Sequence, residues 1–167
     1  MAPAVAAKVF HSQQEALELA FPDCDELRDR TYILSPAQVA KIEETSRSKL
    51  ESGIVRLHSG WKDGRRLGTA FIEVHNVRTR SEAFMVVMDP QGVVTLLMIL
   101  AFHEPLDYLP PERWYRQFVG LTLDSGMRVG RDLHAVVGAT LSTRAISQAV
   151  RRALALHQLL VRDKEGM

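Results

Sequence analysis

Apolar and polar positions change rhythm twice along this chain, dividing it into a helical start, a strand-rich middle and a helical end. Ser12 with Glu15 forms a capping-box pattern ahead of ALELAF, and Pro22 ends it, so a short helix is predicted from about Gln13 to Phe21. Ser35-Pro36-Ala37-Gln38 is a second start, with an N-cap serine, proline at the first helical position and glutamine at the third. That helix should run to about Glu51 and stop at Gly53. Its sparse apolar positions, Val39, Ile42 and Leu50, place it on the surface.

The period then shortens. Ile54 to His58, Leu67 to Val77, Glu82 to Met88 and Val93 to Phe102 read as strands, with Lys62-Asp63-Gly64 turning the first pair. Asp89-Pro90-Gln91-Gly92 places proline and glycine where a type I turn wants them and makes a second hairpin. Short links argue for antiparallel pairing. The second hairpin is apolar at nearly every position, so both its faces should be covered. A Pro-rich loop, HEPLDYLPPERW, leads to a short helix around Glu112 to Phe118. Leu121 to Gly130 reads as a loop. A strongly amphipathic helix is predicted from about Thr143 to Val161, with Ile146, Val150, Ala153, Leu154, His157 and Leu160 on one face and Arg144, Gln148, Arg151 and Arg152 off it. The class is α+β: a single domain, largely antiparallel, with N-terminal and C-terminal helices flanking the sheet.

Composition narrows the function classes. The chain has 167 residues, long enough for a real core, with 46% apolar and 25% charged residues. A net charge of +1 gives no general reason to expect nucleic acid or an anionic membrane. The single cysteine, Cys24, excludes an internal disulfide and any Cys-rich metal site. His58, His75, His103 and His134 lack short metal-ligand spacing, so no metal is expected. The longest apolar run, Val93 to Phe102, has about half the length a spanning helix needs. Ala4-Val5-Ala6 has the small-x-small form of a signal-peptidase site without the segments that should precede it, so a trimmed exported chain and a frayed cytoplasmic terminus are both open.

The candidate chemistry lies in VVGATLSTRAISQAV. Ser142 or Thr143 is the expected N-cap of the last helix, and Thr140 sits just before it on a small-residue turn made by Gly138 and Ala139. A helix N-terminus leaves N–H groups unsatisfied and carries partial positive charge, so a phosphate at the Thr140 hydroxyl would meet them there. A plain capped helix with Thr140 as a loop residue is the alternative.

GATLSTRAISQAVRRAL resembles the C-terminal signature of the FMN-binding domain family, whose motif is Asp-x-x-Ser/Thr-Gly-Ala-Thr followed by Ser/Thr and an amphipathic helix. That family includes the flavin-carrying subunits of the Rnf complex and of the sodium-pumping NADH:quinone reductase, and small exported relatives. DPQGVVTLLMILAFHEP is similar to the family's hairpin and His/Glu loop, and RWYRQFVGLTLD to the helix and linker that follow. The resemblance implies an FMN-binding-type domain over 54–162, with 1–53 a helical segment packed on the same domain. It implies FMN joined by a phosphoester bond to Thr140 by a flavin transferase that uses FAD. Gly138, Ala139, Leu141, Ser142 and Thr143 would surround the attachment, and His103-Glu104 would approach the flavin ring. Two positions depart: His134 stands where the motif has Asp, and Val137 where it has Ser/Thr. Covalent FMN, non-covalent FMN and no flavin therefore all stay open.

The implied role is electron transfer between protein partners, with the redox chemistry supplied by the flavin. An exported, periplasmic location suits a covalently held cofactor; a cytoplasmic one is the alternative. The rival function is a cofactor-free relative acting as a binding or assembly module. A flavin reductase using NAD(P)H lacks support, since no Gly-rich dinucleotide fingerprint is present. Tyr108 and Trp114 are candidates to stack on an isoalloxazine, and Arg78 and Arg80 to meet a phosphate or acidic partner, although packing and solvated loops are the simpler roles.

Overall fold

The structure is a computed structural model, and residues 8–77 and 80–165 are described. Ala4-Val5-Ala6 and Arg78 lie outside the described residues. Six strands form one antiparallel sheet in the order β1-β6-β5-β4-β3-β2. They are β1 (Lys8–Val9), β2 (Glu26–Ile33), β3 (Ile54–Lys62), β4 (Arg65–Val77), β5 (Arg80–Met88) and β6 (Val94–Phe102). Helix α1 (Gln13–Ala20) covers one face. The other carries α2 (Pro36–Ser46), the short α3 (Glu112–Tyr115) and the long α4 (Thr140–His157), which continues through a π-helical turn, Gln158–Arg162.

Both predicted capping boxes are formed: Glu15 N–H donates to Ser12 Oγ and Gln38 N–H to Ser35 Oγ, each at 3.2 Å. Helix α2 ends at Ser46, earlier than expected. Arg47 takes the left-handed C-cap conformation (φ 54°), and the Glu43 carboxylate accepts from the Leu50 N–H and Lys49 Nζ, tying down the chain that leaves the helix. Nor is α2 a surface helix throughout, because Ile42 is buried in the core shared with α4.

The second hairpin sits at the centre of the sheet and is covered on both faces. Phe84, Val86 and Met88 point into the core under α4; Met85 and Val87 point to α1. Its turn is held by Asp89 Oδ1, which accepts from Gln91 N–H and Val93 N–H at 2.9 Å each, and Gly92 supplies the positive φ of 83°. Gly60 and Gly68 face each other across β3 and β4 because the Phe21 ring lies against both.

Two strands escaped the sequence reading. β1 has only two residues. β2, ELRDRTYI, is mostly exposed at the sheet edge and carries charges where an inward apolar face would show alternation. Arg28 rescues it by lying over Trp61, 4.2 Å from the ring centroid, and pairing with Glu26 at 2.7 Å. Arg152 also corrects an expectation: instead of joining a solvated face it is buried, 3.0 Å from Glu73 on β4 and 2.6 Å from Ser48 Oγ. The C-terminal half of α4 is enclosed by the sheet and α2, so even its polar side needs internal partners. No helix among the described residues is long and apolar enough to cross a membrane.

Candidate functional site

Helix α4 begins three residues before the expected start. Residues 136–139 form a turn in which Ala139 N–H donates to Val136 O at 3.1 Å, and Gly138 takes φ 84°, which glycine adopts without the strain of a Cβ. Ala139 is the N-cap, with its methyl buried, and no side chain caps the helix. Thr140 is thus the first helical residue and is exposed. The first-turn amides of Thr140, Leu141 and Ser142 have no carbonyl one turn earlier to bond.

Ser142 and Thr143 are therefore not caps. Both are buried: Thr143 Oγ1 donates back to Thr140 O at 3.0 Å, and Ser142 Oγ donates to Glu82 Oε1 at 2.8 Å. The reason is geometric. Ala139, Ser142, Thr143, Ile146, Ala149, Val150 and Ala153 share the inward face, so the helical period of the apolar stripe extends back through the two hydroxyl residues. That spacing was the available signal for the earlier start.

Glu82 itself was not singled out, yet it is fully buried on β5, in phase with Phe84, Val86 and Met88. A carboxylate on the inward face of an otherwise apolar strand is the signal that marks it. His75 Nε2 on β4 lies 3.3 Å from Glu82 Oε2, and the His75 ring stacks on Phe84 with centroids 5.0 Å apart. Burial pushes the Tyr115 phenol well above its ordinary pKa, and the nearby Glu82 charge adds to the shift. A polar seam thus runs beneath the start of α4 within the core.

Above it is a small cavity of about 10 Å³ bordered by Val77, Glu104, Tyr108, Gly138, Leu141 and Ser142, with Ala139 completing the wall. It brings together six of the predicted candidates: Glu104, Tyr108, Gly138, Ala139, Leu141 and Ser142. Glu104 is buried there, and its Oε1 has no hydrogen-bond partner among the described residues. The space suits one water and is far below the few hundred Å³ of a cofactor pocket, so a flavin ring does not fit inside. Outside it, the Thr140 hydroxyl is exposed at the uncapped first turn, and a Cβ built on Gly138 meets nothing within 4 Å. Val137 and Leu141, near neighbours of Thr140 in the chain, are exposed apolar side chains.

The other candidates are placed elsewhere. His103 is held at the start of β5, its Nδ1 donating to Ser81 O at 2.9 Å, so it and Glu104 point to different surroundings. Arg80 donates to His103 O at 3.2 Å. Trp114 is unavailable for stacking: it is buried against Tyr115 and Phe118, and its Nε1 donates to His134 O at 2.6 Å. His134 and Val137 are exposed, Val137 completely. His58 is buried on Asp29, Nδ1 to Oδ1 at 2.6 Å. No group of three metal-ligating side chains occurs among the described residues.

No protein-family model and no curated protein matches this chain. Among solved structures, the crystal structure of Shewanella oneidensis NqrC is similar in fold, with a TM-score of 0.59 over 94% of this chain and 91% of that one, at 14% sequence identity. That likeness establishes an NqrC-like α+β fold.

Proposed function

We propose that this chain is an FMN-carrying electron carrier and that the flavin is attached through its phosphate to Thr140 Oγ1. One observation carries the reading: an exposed threonine opens a long helix whose N-terminus has no side-chain cap, on a turn whose glycine leaves the approach open. The fold's likeness to NqrC, an FMN-carrying subunit, supports it. The first-turn amides would hold the phosphate charge, and the end of the helix dipole would add to their pull. Leu141 and Val137 would give the ring an apolar surface, and Glu104 and Ser142 would support the wall behind the attachment. The flavin, when bound, supplies the electron storage that no side chain here can. The same reading makes 54–162 the cofactor domain and favours an exported location, with 1–53 contributing an edge strand and the α1 and α2 covers.

The test is intact-mass measurement on protein produced with and without a flavin transferase, followed by peptide mapping. A flavin adduct on the peptide holding Thr140, lost in Thr140→Ala, is the expected result. An adduct that persists in Thr140→Ala refutes the assignment.

A second reading has its own observation. His134 and Val137 stand where the family motif has Asp and Ser/Thr, and both are exposed. A cofactor-free module that uses the exposed Val137, Leu141 and Leu106 for binding would look the same in fold. Purified protein that is colourless after production with the transferase and excess flavin favours this second reading.

A further inference from the structure

One face of α4 connects Thr140 to an arginine-lined groove. Thr140, Arg144, Gln148 and Arg151 follow at helical spacing along the side of α4 turned away from the sheet. At about 1.5 Å per residue, Arg144 stands about 6 Å along the axis from Thr140 and Arg151 about 16 Å. Beside this stripe lies an open groove of about 950 Å³, walled by α4, by the end of α2 and by the loop of residues 123–132. Five arginines line it, Arg47, Arg128, Arg131, Arg144 and Arg151, against the acids Glu44, Asp124 and Asp132.

The arginines outnumber the acids five to three, and Asp132 pairs with only one of them, Arg131. Asp132 is committed to its own loop: its Oδ2 accepts the Arg128 N–H at 2.9 Å, and its Oδ1 lies 3.9 Å from Arg131 Nε. A Cβ on Gly126 would come within 2.7 Å of the Asp132 carboxyl, so glycine is what lets the loop close on that carboxylate. Ser147 Oγ donates to Met127 O at 2.6 Å and pins the loop to α4. Arg151 Nε donates to Ser46 O at 2.9 Å, within reach of the charges of Arg47 and Arg128. Desolvation and these two like charges lower its pKa. These bonds tie the loop and the end of α2 to α4 and hold like charges together in one groove.

We infer that this groove is a docking surface for an acidic segment of a partner protein. The charges are spread along an open trough supplied by three elements rather than converging on one point, which fits an extended row of carboxylates better than a single phosphate. Leu123 and Val129, both half-buried in the same walls, offer apolar contact between the charges. The binding surface stands independently of any flavin. That the docked partner exchanges electrons with this chain rests on the function proposed above; the groove would then bring it to the same helix face that begins at Thr140.

The probe is a fluorescein-labelled deca-glutamate peptide, titrated by fluorescence anisotropy against the full chain with and without flavin loading. Binding should be saturable at low salt and fall at least about tenfold between about 50 and 200 mM salt, since exposed charge pairs are screened over about 8–10 Å. The double variant Arg128→Glu/Arg144→Glu should weaken it by a further factor of about ten or more, because like charges then face the peptide. Both side chains are exposed, and an unchanged melting temperature would confirm that the variant remains folded. As a second variant, Lys8→Glu on the far edge strand should leave binding unchanged. Inorganic tripolyphosphate and a single-stranded oligonucleotide serve as rival probes. Absence of saturable peptide binding, binding indifferent to the double reversal, or groove-dependent binding of either rival probe without the peptide overturns the inference. Equal peptide binding in flavin-free protein leaves the docking surface standing even if Thr140 carries nothing.

Discussion

Ser142→Ala tests the central feature of the site, the hydroxyl that ties the first turn of α4 to the buried Glu82. The bond is 2.8 Å long, Ser142 is 2% exposed and Glu82 is 0% exposed, so losing the hydroxyl takes a donor from a fully buried carboxyl. A hydrogen bond to a carboxylate contributes about 1.5–3 kcal/mol, and a buried acceptor left without a partner costs about the same, so the two views of one loss agree on about 2–3 kcal/mol. For a chain of this length that corresponds to a fall of about 5–10 °C in Tm. Urea titration should show a lower midpoint with an unchanged slope. Thr140→Ala, two residues away but exposed, should stay within about 0.5 kcal/mol. A serine acting only as a helix cap would also cost about 1 kcal/mol, so the decisive measurement is the double-mutant cycle with Glu82→Gln. Coupling above about 0.5 kcal/mol is expected for residues in contact. Additive single effects, or a Ser142→Ala loss below about 0.5 kcal/mol, would refute the buried tie.

The remaining predictions concern other parts of the molecule. Gly68→Ala and Gly60→Ala should each cost about 1–3 kcal/mol in urea denaturation, because a Cβ on Gly68 would stand 2.6 Å from the backbone oxygen of Met88 and one on Gly60 2.5 Å from Cγ of the buried Phe21; a loss below about 0.5 kcal/mol in either would count against this packing. Tyr115 keeps its proton in the folded protein at pH values where the unfolded chain, with an ordinary pKa of about 10, releases it. Its contribution is therefore full below about pH 10 and is lost above it at up to about 1.4 kcal/mol per pH unit; Tyr115→Phe should flatten that slope, and identical slopes would count against the assignment. On the proposed function, placing the motif residues of the FMN-binding domain family with His134→Asp/Val137→Thr should raise covalent flavin incorporation by a transferase, read by intact mass; equal incorporation in both chains would show that these positions do not limit attachment. Amide exchange should be slowest in Phe84 to Met88 and Leu96 to Leu100, the strands buried between α1 and α4, and fast exchange there would contradict the sheet order.

Local signals in the sequence determined the elements whose cause is itself local. The capping boxes at Ser12 and Ser35, the Asp89–Gly92 turn and the apolar hairpin were legible because each depends on neighbours a few residues away. The α+β class followed from them, as did a distinctive turn at Gly138 before a long helix. Tertiary structure decided the rest. β2 pairs with β3 through backbone bonds that charged side chains do not announce, and its stability comes from Trp61 on the neighbouring strand. Glu82 and Ser142 lie sixty residues apart in the chain, so only the packing of α4 on the sheet makes one the partner of the other. Arg152 is buried because Glu73 and Ser48, from two different elements, surround it. The start of α4 depended on both: its inward spacing reached back to Ala139 in the sequence, but the burial of Ser142 and Thr143 was settled by the carboxylate and the core beneath them. That burial leaves the helix without a side-chain cap, and of the three hydroxyls at its start only that of Thr140 is exposed.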